Sequence, residues 1–180
     1  MKLKFPVLAA ALLFLTGCNG ITSTATIYQG KNHMDRGTVA FIPVADNESN
    51  SLENKTIGDY ILTKLAANGY TPTEADQKPE FTTNFKYKLS RDKAKYKGNF
   101  YLLFEHSIEI EIYKSLADGK KEKEYELKVV YNGRCGNINP SVKMRMIDAI
   151  FLDFPGVNGQ SNKHSLSLNQ GESKRLMNPC

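Results

Sequence analysis

A chain of 180 residues with 24 basic and 19 acidic side chains has a formal net charge of +5, too mild a surplus to single out nucleic acid as a partner. Three cysteines and three histidines are few and scattered, and no pair of them has the spacing of metal ligands. Tryptophan is absent, although nine Tyr and nine Phe remain.

The N-terminus reads as a leader. Lys2 and Lys4 precede the apolar run "FPVLAAALLFL" (residues 5–15), which is far shorter than the roughly 20 residues that span a bilayer. That length suits the core of a signal peptide. Thr16 and Gly17 are small and lead into Cys18. The stretch "LTGC" resembles the lipobox of bacterial lipoproteins. The resemblance implies cleavage after residue 17, a diacylated Cys18 thiol, an acylated new amino group, and a membrane held through lipid. Several acyl chains on one residue meet the physical requirement for stable attachment. Such proteins are retained in the inner membrane by an aspartate after the cysteine. Asn19 stands there, so the resemblance implies the outer membrane, on its periplasmic side. The alternatives are an ordinary cleaved leader that frees Cys18 for a disulfide, or a transmembrane anchor, for which the run is short.

Loss of the leader removes two lysines and leaves a net charge of +3 on a mature chain of roughly 160 residues, enough for one core. Residues 18–37 are rich in small and polar side chains and read as a lipidated tether. A domain over 38–156 and a polar tail over 157–180 follow. "TVAFIPV" (residues 38–44) predicts a strand buried on both faces. Ile57, Tyr60, Ile61 and Leu65 recur at helical spacing, with Gly69 placed as a C-cap, which predicts a helix over 52–68.

Strict alternation predicts three strands with one buried side. Phe81, Phe85, Tyr87 and Leu89 share a face of the first; Phe100, Leu102, Phe104, Ile108, Ile110 and Ile112 of the second; Tyr125, Leu127, Val129 and Tyr131 of the third. A two-residue turn at Asp118 and Gly119 sets Ile112 opposite Tyr125, Ile110 opposite Leu127 and Ile108 opposite Val129, so the apolar faces coincide. On the outer face it sets Glu109 against Lys128 and Glu111 against Glu126, a like-charge pair. Asn139 as cap, Pro140 at the first helical position, and Val142, Met146, Ile147, Ile150, Phe151 and Phe154 predict a final helix, stopped by Pro155 and Gly156. The order β-α-β-β-β-α predicts an α+β two-layer sandwich, with two helices on one face of a largely antiparallel sheet.

The lipobox, the "VAFIPV" strand, "LAANGY", "KPEFTTNFKY" and "MIDAIFLDFPG" together resemble a family of small bacterial lipoproteins of unknown function. The matching positions are Leu65, Gly69, Tyr70, Pro79, Glu80, Phe81, Asn84, Tyr87, Ile150, Phe154 and Pro155. The opening strand and helix also resemble the first unit of lipoproteins that assemble outer-membrane secretion machinery. Neither resemblance supplies a catalytic residue or a cofactor.

Candidate chemistry is sparse. His33 falls in the tether and His164 in the tail. His106 lies on an apolar face opposite Tyr131, where a core role outweighs a ligand role. Ser107 points the other way and cannot serve as its nucleophile. Cys135 and Cys180 read as one disulfide in an oxidising compartment, the alternative being two free thiols. Arg134 beside Cys135 could instead lower a thiol pKa. "RDKAKYKG" (residues 91–98), with Lys120 and Lys121, places basic residues in two loops, as a solvated face or a contact for lipid head groups or acidic polymers. The expectation is a non-catalytic envelope lipoprotein that binds or scaffolds another envelope protein, with no metal and no cofactor. An inhibitor or exclusion-type surface lipoprotein is the alternative, and an enzyme is third.

Overall fold

The three alternating runs form the centre of a sheet whose apolar side is covered by two helices. The computed structural model describes residues 20–30, 36–44, 52–96, 99–133 and 136–167. In chain order the elements are β1 (Gly20–Gln29), β2 (Thr38–Phe41), α1 (Leu52–Ala67), β3 (Thr71–Pro72), a 3-10 turn (Ala75–Gln77), β4 (Phe81–Tyr96), β5 (Asn99–Ser115), β6 (Lys121–Gly133), α2 (Pro140–Asp153) and β7 (Ser161–Ser167). Among the described residues seven strands make one mixed sheet in the order β3-β2-β4-β5-β6-β1-β7. β2 runs parallel to β3 and β4, and every other pairing is antiparallel. The class is α+β, as the element pattern predicts.

Local chemistry ends the first helix and starts the second. α1 buries Ile57, Ile61 and Leu65 and ends at Gly69, whose φ of 90° closes the helix in the left-handed region. Gly58 lets the ring of Phe41 approach; a Cβ there would come within 2.5 Å of it. α2 opens on Asn139, whose side chain accepts from the Val142 N–H at 3.0 Å, with Pro140 next. Val142, Met146, Ile147, Ala149 and Ile150 are buried against Ile108, Ile110, Ile112, Leu127 and Val129 in one cluster. Each fully buried aliphatic side chain contributes about 1.5–3 kcal/mol.

The hairpin of β5 and β6 has the predicted pairs, Ile112 with Tyr125, Ile110 with Leu127, Ile108 with Val129 and His106 with Tyr131. Its turn differs. Leu116 and Lys120 close a three-residue loop, through a bond of 2.8 Å from the Leu116 N–H to the Lys120 carbonyl, with Gly119 at φ 80°. This shifts the first pairs by one residue, until a bulge at Glu124 between Ile112 and Tyr113 restores the register. Two local departures cancel, and the buried face keeps its residues.

Three segments differ from the sequence reading. Half of the expected tether is β1, which lies between β6 and β7 and buries Ser23, Ala25 and Ile27. Two of these three inward side chains, Ser23 and Ala25, are small, so the strand's apolar signal is weak, although Thr, Ile and Tyr favour a strand. Part of the expected tail is β7, an edge strand, where polar residues are the rule. The Gly159 N–H donates to the Ile27 carbonyl at 2.8 Å, and the Gln29 side-chain amide donates to the carbonyls of Pro155 and Gly156 at 2.6 and 2.9 Å. Finally, residues 91–96 are not a loop: β4 continues to Tyr96 and pairs there with Asn99 of β5. The polar run of β4 there, Arg91 to Lys95, hides the strand, because charged side chains leave no apolar alternation to read.

Candidate functional site

Cys18, Cys135, Cys180, His33 and Arg134 lie outside the described residues. The structure nevertheless fixes the segments that lead to them. β1 begins at Gly20 and pairs there with Ser167, and β6 ends at Gly133. All three points fall at one end of the sheet, because β1 is antiparallel to both β6 and β7. The ribbon of β4 and β5 extends from this same end, since Tyr131 is level with His106 and His106 with Leu89.

His106 is wholly buried, between the rings of Tyr87 and Tyr131, with centroids 6.0 and 5.8 Å away and planes within 26°. Its Nδ1 lies 2.6 Å from the Tyr87 hydroxyl. Burial raises the Tyr87 pKa, and Glu53 adds to the rise, so the phenol keeps its proton. Lys143 sits 4.2 Å over the Tyr87 ring and 2.6 Å from Glu53, tying α2 to the first turn of α1. A second tie uses Asp148, which accepts from Tyr60 at 2.5 Å and pairs with Lys64 at 2.6 Å and Arg145 at 3.2 Å. Burial pushes Asp148 up, but these donors outweigh it and its pKa is lowered. His164 pairs with Asp153 at 2.6 Å and anchors β7 to the end of α2. Both described histidines are therefore engaged with structural partners.

The opposite face of the sheet carries a ladder of charges. Glu109 pairs with Lys88 at 2.8 Å and Lys128 at 3.5 Å, and Glu111 with Lys123 at 2.6 Å and Lys86 at 2.9 Å. Burial raises the Glu111 pKa, yet the hydrogen bonds from Lys123 and Lys86 more than reverse this and bring it to about 2. At the bulge, Glu124 is turned inward and is 1% exposed. It shares its surroundings with Arg36, Tyr70 and Tyr125. Burial pushes Tyr70 to about 12, while Arg36 pulls it down. Arg36 stacks 4.9 Å over the Tyr70 ring and donates to the Asn68 carbonyl at 3.0 Å. Sequence reasoning missed this cluster, since "KEKEYE" presents Glu124 as one more solvated charge and only the bulge turns it in.

A groove of about 450 Å³ runs beside β3, with Phe41, Leu62 and Pro72 as floor and Asp59, Glu74 and Gln77 along it. It holds no arrangement of nucleophile and base. Among the described residues no three His, Cys, Asp or Glu side chains converge as metal ligands. Among them, too, no helix is long and apolar enough to cross a membrane.

No protein-family model matches the chain, and no curated protein matches its sequence. Solved structures align with the chain, and where the TM-score exceeds 0.5 the likeness is one of fold. A PDZ domain protein from Parabacteroides distasonis aligns with a TM-score of 0.53 and 13% identity over 82% of this chain. This chain spans only 39% of that protein's length. A DUF4136 family protein from Bacteroides thetaiotaomicron aligns with a TM-score of 0.47 and 12% identity, over 79% of this chain and 99% of the other. A minor lipoprotein from Acinetobacter baumannii aligns at 0.35 and 14%, over 63% of this chain and 82% of the other.

Proposed function

We propose that this chain is a lipid-anchored lipoprotein of the outer membrane, facing the periplasm, which binds or scaffolds another envelope protein without catalysing a reaction. One observation carries the reading: the lipobox "LTGC" ends at Cys18, and β1 starts two residues later at Gly20. The leader thus stops just short of the fold, as a cleaved leader must. Acyl chains on Cys18 would hold the sheet end directly at the membrane rather than on a long tether. The non-catalytic part is supported by His106 and His164, each committed to a structural partner.

Fractionation of cells carrying Cys18→Ser, with intact-mass measurement of the wild-type protein, tests the anchor. The wild type should carry the mass of its acyl chains and sediment with outer membranes, and the variant should not. A variant cleaved at the same bond that stays in that fraction at the wild-type level would refute the reading. Crosslinking in intact cells, followed by identification of the captured protein, tests the scaffolding role; a chain that crosslinks to nothing but itself refutes it.

A further inference from the structure

We infer that the β4–β5 ribbon is a second membrane contact, which lies on the anionic phospholipid surface that holds the lipid of Cys18. The inference rests on the anchor proposed above.

The argument is one of register. Ser23 pairs with Tyr131, Tyr131 with His106, and His106 with Leu89. Three residues back along β1, Gly20 is therefore level with Asp92 of β4 and Leu103 of β5, which pair with each other. From that level the ribbon continues four residues to the pair of Tyr96 and Asn99, or about 13 Å at the rise of a strand. The link from Gly20 back to Cys18 covers two residues and reaches at most about 7 Å. Sideways, β5 and β4 stand two and three strands from β1, about 10 and 14 Å. A surface that receives acyl chains from Cys18 therefore meets the ribbon before it meets any other strand end.

The composition of the ribbon fits that surface. Residues 91–96 of β4 carry Arg91, Lys93 and Lys95 against a single acidic residue, Asp92. On β5, residues 99–104 are Asn-Phe-Tyr-Leu-Leu-Phe, with no acidic group. Arg91 pairs with Phe104, Lys93 with Leu102 and Lys95 with Phe100, so basic residues of β4 stand opposite apolar residues of β5 along the register. Basic residues near an anionic bilayer each favour binding roughly fivefold, and aromatic residues favour the head-group level. β6 reaches only as far as Phe104 on β5, so among the described residues the outer part of the ribbon has no third strand. Among the described residues no strand pairs with either edge of that part, which leaves it able to lie along a surface.

Hydrogen exchange on the lipidated full-length mature protein tests the inference, in detergent, in phosphatidylcholine vesicles, and in vesicles of phosphatidylethanolamine with phosphatidylglycerol. Amides of residues 91–104 should exchange about tenfold more slowly on the phosphatidylglycerol vesicles than in detergent or phosphatidylcholine. The variant Lys93→Glu/Lys95→Glu should lose that slowing while β6 amides keep theirs, which controls for folding. A lipidated, vesicle-bound protein whose ribbon exchanges as it does in detergent overturns the inference and leaves the anchor standing. Equal protection on phosphatidylcholine, or protection by an acidic polysaccharide alone, overturns it as well. Absence of acyl mass on Cys18 overturns anchor and inference together.

Discussion

Glu111 stands directly opposite Glu126 on the outer face of β5 and β6, and Lys123 reaches both, at 2.6 and 2.9 Å. Simple alternation would turn Lys123 to the other face. The bulge at Glu124 turns it outward, so the irregularity that buries one glutamate supplies the cation that reconciles two others.

Replacing Lys123 with methionine should therefore destabilise the protein by about 1–2 kcal/mol at neutral pH, a figure already reduced for the half-exposed lysines. The pH dependence has a definite sign. The Glu111 pKa falls from 4.5 to about 2 on folding, so its contribution is full above pH 4.5 and is lost as pH drops towards 2. Urea titrations of the two proteins should differ most near neutrality and converge in acid. A gap that stays constant from pH 7 to pH 2 would refute this account.

β1 is a structural strand, and its removal should be costly. Ile27, 2% exposed, packs into the core, whereas Tyr28 on the other face is 48% exposed. Ile27→Ala should lower unfolding stability by about 2–4 kcal/mol and Tyr28→Ser by less than about 1 kcal/mol. Denaturant midpoints check the contrast. Equal small effects would mean that residues 20–29 act as a tether after all.

What could be read from the sequence divides along physical lines. Ile57, Ile61 and Leu65, or Ile108, Ile110 and Ile112, are large and strictly periodic, and their elements, faces and pairings were all legible. Ala25 and Ser23 leave too little apolar contrast to mark β1, and β7 is held by backbone pairing and polar side chains, Ser161 with Thr26 and His164 with Asp153. Periodicity reports side chains that pack, so strands held by backbone bonds beneath small residues escape it. The same limit hid the ribbon, where Arg91 and its neighbours look like a loop, and the inward turn of Glu124, which depends on one inserted residue. His106 was legible as a core histidine opposite Tyr131, but not its bond to Tyr87, two strands from Tyr131.

That bond gives a further prediction. The Tyr87 hydroxyl lies at hydrogen-bond distance from the Nδ1 of a fully buried ring. Tyr87→Phe keeps the stacking and removes the hydroxyl. Loss of one partner at a buried polar atom should destabilise by about 1–2 kcal/mol. His106→Phe in the same background should then cost less than it does in the wild type, because the two groups act as a pair. Strictly additive effects in the double-mutant cycle would refute the coupling.

The last prediction concerns Cys135 and Cys180. β7 ends at Ser167, level with Gly20, and β6 ends at Gly133, close to the same level on the far side of β1. Two strand spacings, about 10 Å, separate these ends. Thirteen residues remain from Ser167 to Cys180, a contour of about 40 Å, so the last residue can return to a cysteine that stands two positions beyond Gly133. In an oxidising periplasm the pair should be bridged. The bridge would close a loop of about 45 residues and stabilise the fold by about 3–4 kcal/mol on the chain-entropy model. It would also fasten β7, an edge strand held at present by β1 and by the pair of His164 with Asp153. Peptide mapping of unreduced protein taken from the envelope should yield one linked peptide containing both cysteines. Recovery of Cys135 as an alkylated free thiol would rule the bridge out.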